Sequence, residues 1–66
     1  MIYVGEEIKL GWNGAKYFTE NLAYETVRVE AVSIDWIVIR DSNGHPWATG
    51  FLPQEGHDNM RQELEC

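Results

Sequence analysis

The sequence predicts a small, mainly β domain: a small antiparallel barrel or curved sheet of about four to five strands, with a short C-terminal helix. Three observations carry this. Apolar and polar residues alternate in short runs, Gly and Asn punctuate those runs at tight spacing, and 66 residues leave room for one domain at most. A chain of this size buries only about 60% of its unfolded surface, so its core is thin. Three Trp, three Tyr and two Phe supply much of the apolar area available.

The first element spans residues 7–12. Ile8, Leu10 and Trp12 share one face, and Asn13-Gly14 follows. Asn-Gly is the strongest short hairpin signal, because a type I′ turn needs positive φ at both central residues. The return strand is expected over 15–20, pairing Trp12 with Ala15, Leu10 with Tyr17 and Ile8 with Thr19. That register also sets Glu7 opposite Glu20, with Lys9 as the nearby cation, and Phe18 opposite Lys9.

A second strand is expected over 24–32, with Val27, Val29 and Ala31 inward and Arg28 and Glu30 outward. The run over 34–40 is the most apolar in the chain. Ile34, Trp36 and Val38 lie on one face and Ile37 and Ile39 on the other, the pattern of a central strand covered on both sides, with Trp36 in the core. Asp41-Ser42-Asn43-Gly44 reads as a type I turn closed by a left-handed Gly44. The return strand over 46–52 then sets Trp47 opposite Ile39 and Thr49 opposite Ile37, with Pro46 at the strand start or on an edge. The helix is expected over 58–65, with Asp58 as its N-cap and Met60 and Leu64 on one face.

The segment Val27 to Pro53 resembles a Src-homology-3-like barrel. A strand leads to Asp35-Trp36, a hairpin follows over Arg40 to Gly44, and Gly50-Phe51-Leu52-Pro53 closes the sheet. The chain lacks the Ala-Leu-Tyr-Asp-Tyr signature of the peptide-binding members, so the resemblance implies a fold rather than a ligand. The hairpin from Trp36 to Gly44 is similar to one in the phage uracil-DNA glycosylase inhibitor family, acidic proteins that mimic DNA. That likeness implies a phage-type inhibitor.

The formal charge is −6, from eleven acids against five bases. Nucleic acid and anionic membranes require a basic patch, so neither is an expected direct partner. A basic protein, or a protein surface that normally holds nucleic acid, is. The first residues have neither a basic start nor an apolar run, which points to the cytoplasm. The lone Cys66 excludes an internal disulfide.

No nucleophile elbow, phosphate-cradling loop or zincin motif occurs, and neither a metal site nor a cofactor is expected. His45 with Asp41, and His57 with Asp58, are the only candidate acid–base pairs, and both fall in expected turns. The function expected is therefore non-catalytic protein binding, as an inhibitor or accessory protein. Trp12, Tyr17, Phe18 and Trp47 are its aromatic anchors, and Glu7, Glu20 and Glu30 the surrounding carboxylates. The alternatives are a homo-oligomeric structural module, with a homodimer as its simplest form, and then a nucleic-acid-binding barrel.

Overall fold

The computed structural model describes residues 1–65, so the reading of Cys66 lies outside the described residues. Strands β1 (Glu7–Lys9), β2 (Thr26–Val32), β3 (Trp36–Arg40) and β4 (Pro46–Gly50) form one antiparallel sheet in the order β1-β2-β3-β4. Two helices, α1 (Trp12–Ala15) and α2 (Gly56–Leu64), cover one face of it. The expected fold class, mainly β with a small antiparallel sheet of four strands and a short C-terminal helix, is what the chain adopts.

The second hairpin follows its expected register, with Ile39 opposite Trp47 and Ile37 opposite Thr49. Gly44 has φ +78° and its N–H donates to the Asp41 carbonyl at 2.9 Å. The Asp41 carboxylate fixes the loop further, accepting from the N–H groups of Asn43 (2.9 Å) and His45 (3.0 Å) and from the Trp47 indole (3.0 Å).

The first hairpin does not form. Residues 15–20 make no strand, and Asn13-Gly14 lies inside α1. β1 pairs instead with β2, setting Ile8 opposite Val27 and Glu7 opposite Arg28 rather than Glu20. The reason lies in a second periodicity that the alternation hides. Ala15, Phe18 and Leu22 follow helical spacing, and in a helical connection all three reach the core, whereas the hairpin register would leave Phe18 outside beside Lys9. Successive turns carry them inward: Ala15 N–H donates to Gly11, Phe18 N–H to Ala15, and a 3₁₀ turn over Glu20–Leu22 follows.

Gly14 is required for its missing side chain rather than for a positive φ. A Cβ there would stand 2.6 Å from both the Cα and the carbonyl carbon of Leu64, and closer still to its oxygen. The backbone of α1 thus rests on the backbone at the end of α2. Gly11 N–H donates to the Leu64 carbonyl at 2.8 Å, and Leu10 forms an isolated bridge with Glu65.

The core lies between the helices and one sheet face. Ile8, Val27, Val29, Ile37 and Ile39 come from the sheet, and Met60 and Leu64 from α2, at the spacing the sequence shows. The other face is open. β3 is therefore covered on one side only, and two expectations fail with it: Trp36 is 43% exposed rather than core, and Ile34 is 67% exposed and precedes the strand. So short a chain has helical residues enough for one covering layer. A bulge between Val29 and Ala31 turns the inward position over, so that Val32, opposite Ile37, faces the core in place of Ala31.

α2 begins at Gly56, two residues before the expected start, and Asp58 lies in its first turn rather than capping it. The Asp58 carboxylate accepts from the Met1 amino group at 2.6 Å. Arg61 bonds the Met1 carbonyl at 3.0 Å, pairs with Glu6, and reaches Glu65 at 3.1 Å. These contacts hold the N-terminal segment over α2 and keep Ile2 buried. A helix of this length is marginal alone, so its stability comes from this docking.

Two substitutions separate this packing from the one the alternation predicts. Gly14→Ala lowers stability by about 1–3 kcal/mol through overpacking against backbone that cannot swing aside. Trp36→Ala costs less than about 1.5 kcal/mol, because nearly half the side chain is already in solvent. Thermal melts followed by circular dichroism check both, and the reverse order of effects contradicts this core. Gly44→Val costs about 1–2 kcal/mol, since no neighbour crowds the site and only the left-handed backbone resists the branch. An unchanged melting temperature contradicts that turn.

Candidate aromatic groove

The seam between α1 and α2 opens to solvent as a groove of ≈ 680 Å³ lined chiefly by Trp12, Lys16, Tyr17, Tyr24, Glu63 and Glu65. Gly11 lies in its lining, and the Leu10-Gly11 stretch beneath is held on both sides. Leu10 N–H donates to the Glu25 carbonyl at 2.9 Å, its carbonyl accepts from Tyr24 N–H at 2.8 Å, and Gly11 N–H reaches Leu64. Tyr24 and Glu65 flank that stretch.

Tyr24 has φ +66°, the one non-glycine residue with positive φ among those described. A left-handed backbone costs a residue with a Cβ about 1–2 kcal/mol. The paired bonds between Leu10 and residues 24–25 impose that conformation, and its result is a phenol ring 59% exposed at the groove wall. Strain of this kind persists where surrounding structure over-determines it, and such sites cluster where ligands bind.

Trp12 (45% exposed) and Tyr17 (38%) form the rest of the aromatic lining. The Tyr17 hydroxyl donates to the Glu63 carboxylate at 2.9 Å, which ties α1 to α2 across the seam. The Lys16 ammonium lies 5.1 Å from the centroid of the Trp12 ring, within the range of a cation–π contact. Aromatic residues, the Glu63 carboxylate held by Tyr17, the Glu65 carboxylate paired with Arg61, and a cation seated on Trp12 make up this environment.

Of the residues the sequence singles out, Trp12 and Tyr17 meet in this groove, and the others do not line it. Phe18 packs half-buried against the core. Trp47 does the same, and its indole is occupied by Asp41 and its ring by His45 at 4.7 Å. Glu7 lies on β1 opposite Arg28, Glu20 begins a 3₁₀ turn, and Glu30 pairs with Arg40 at 3.2 Å. Tyr24, Lys16, Glu63 and Glu65 were not singled out. Met60 and Leu64 share one face of α2, which leaves Glu63 toward solvent. No local pattern marks a Tyr whose exposure depends on a left-handed backbone.

The histidines make structural contacts. His57 Nε2 lies 2.8 Å from the Ser33 carbonyl oxygen, which can only accept, so this nitrogen carries the proton. Nδ1 accepts from Ile2 N–H at 3.5 Å. Asp58 faces the Met1 amino group instead of His57. Among the described residues no three His, Cys, Asp or Glu side chains gather to hold a metal ion, and no helix is long and apolar enough to cross a membrane. No known family, no curated protein and no solved structure matches this chain.

Three carboxyls are held below the usual carboxylate range: Glu6 by the Tyr3 N–H and Arg61, Asp41 by the Trp47 indole, and Asp58 by the Met1 amino group. A depressed folded-state pKa contributes stability that is complete above the unfolded value and is lost as pH falls through the folded one. The melting temperature therefore holds near neutral pH and falls below about pH 4. The double variant Glu6→Gln, Asp41→Asn melts lower at pH 7 and shows a shallower acid decline. An acid profile identical to wild type contradicts these assignments.

Proposed function

We propose that the chain is a non-catalytic protein-binding module whose aromatic groove captures a Lys or Arg side chain from a basic partner protein. The observation that carries this is Lys16 resting on Trp12, with Glu63 and Glu65 at the same groove: the chain's own lysine occupies a site built for a cation. A partner cation displaces Lys16 from the Trp12 ring, with Tyr24 and the carboxylates in the same lining. A cation–π contact contributes about 0.5–1 kcal/mol at an exposed site and about 2 when desolvated. The net charge of −6 adds long-range attraction that salt weakens.

A surface that recognises nucleic acid presents such side chains in clusters, so proteins of that kind are the partner class this groove fits. Occupying their basic surface excludes the phosphate backbone sterically and electrostatically, as an inhibitor or accessory protein does. Direct binding to nucleic acid or to anionic lipid runs against the same charge.

A short peptide alternating Lys and Arg with Gly tests the groove, with affinity measured by calorimetry at low and at high salt. Trp12→Ala is expected to weaken binding about two- to fivefold, the equivalent of one cation–π contact at an exposed site. Glu63→Gln with Glu65→Gln flattens the salt dependence, and Lys16→Met tightens binding by vacating the site. Glu30→Gln, outside the groove, serves as a control. Binding unchanged by Trp12→Ala and by the double glutamine variant overturns the proposal.

A further inference from the structure

The outer edge of β4 carries a hydrogen-bonding pattern that fits a second copy of itself. Asp41 N–H donates to His45 O at 3.1 Å, and Phe51 N–H donates to Asp35 O at 2.8 Å. With the register Ile39–Trp47 and Ile37–Thr49 between them, the odd-numbered residues of this strand bond to β3. The even-numbered ones, Pro46, Ala48 and Gly50, therefore aim their backbone groups away from the sheet. This explains how a proline is tolerated in β4, since the N–H it lacks would point outward.

The free edge thus offers two donors, Ala48 and Gly50, and three acceptors. Edge strands are ordinarily blunted by charge, most often lysine, by a bulge, by shortness or by a proline; here Pro46 removes one outward donor and leaves those of Ala48 and Gly50. Pro46-Trp47-Ala48-Thr49-Gly50 contains no charged residue, and its register with β3 is unbroken. Of the adjoining open-face positions on β3, Trp36 and Val38 are uncharged, and the Arg40 charge opposite Pro46 is paired with Glu30.

We infer that two copies pair antiparallel through β4, about a two-fold axis at Ala48. In that register Ala48 of each copy exchanges both bonds with Ala48 of the other, and each Gly50 N–H meets the Pro46 carbonyl of its partner. Every outward donor is used. The one acceptor left over on each copy is the Gly50 carbonyl, opposite the proline, and it already takes a long contact from the Thr49 hydroxyl at 3.5 Å. Moved by two residues one way, the register leaves the Gly50 donor without a strand partner; moved the other way, it sets Ala48 opposite the partner's Gly50, a pairing that the mixture of Ala48 variants below separates from this one. Trp36, beside Gly50, has no side chain between it and the partner's Pro46, which covers part of its exposed ring. Two chains of charge −6 repel, and this uncharged strand is where they approach at least cost. The interface is independent of the groove.

The test is sedimentation equilibrium over about 10 µM to about 1 mM, a range that spans weak association. Wild type is expected to show a monomer–dimer equilibrium in this range. Ala48→Glu and Ala48→Lys each place like charges directly opposite one another and weaken association by about fivefold or more. An equimolar mixture of the two restores it, because residue 48 faces residue 48. Circular dichroism of each variant alone confirms that it is folded. A wild type that stays monomeric throughout, or a dimer that both variants leave intact, overturns the inference. So does a mixture that associates no better than its parts.

Discussion

The backbone of α1 can rest directly on the backbone at the end of α2 only because residue 14 has no Cβ. The contact sets the depth of α1, and with it the positions of Ala15 in the core and Trp12 at the surface. Gly11 N–H on the Leu64 carbonyl and the Leu10–Glu65 bridge continue the seam beneath the groove. Leu10 in turn holds Tyr24 in its left-handed conformation. Helix docking, sheet coverage and the aromatic site are thus consequences of one close approach, with hydrophobic burial of Met60 and Leu64 supplying the drive toward it.

The hairpin from β3 to β4 was legible because turn and strands agree locally: a left-handed glycine, an Asp suited to the turn and alternating flanks specify one register. The pairing of Met60 with Leu64 was legible for the same reason. The segment around Asn13-Gly14 carries two compatible patterns, a period of two in Ile8, Leu10 and Trp12 and a helical spacing in Ala15, Phe18 and Leu22. Local rules rank the hairpin first. Tertiary packing chooses the helix, since only that choice buries Phe18 and gives α2 a surface to rest on.

Trp36 was misplaced for a different reason. A run apolar on both faces reads as a covered strand, but a chain this short has one helical layer to spend. The β-branched pair Ile37 and Ile39 faces that layer, and Trp36 is left on the open side. Half of the aromatic site was legible as Trp12 and Tyr17. The rest was not, because Tyr24 and Glu63 reach it through long-range contacts and a backbone conformation without a sequence signature.

The groove, and with it the proposed recognition of a cation, rests on the end of α2 being locked to the Gly11–Gly14 segment. Native-state hydrogen exchange at the Gly11 amide measures that lock directly. With the seam closed, Gly11 exchanges as slowly as Val29, whose amide is bonded within the sheet to Glu6 at 2.8 Å. Exchange as fast as that of a solvent-exposed loop amide such as Ser42 means that α2 does not hold the seam, and neither the groove nor its proposed function stands.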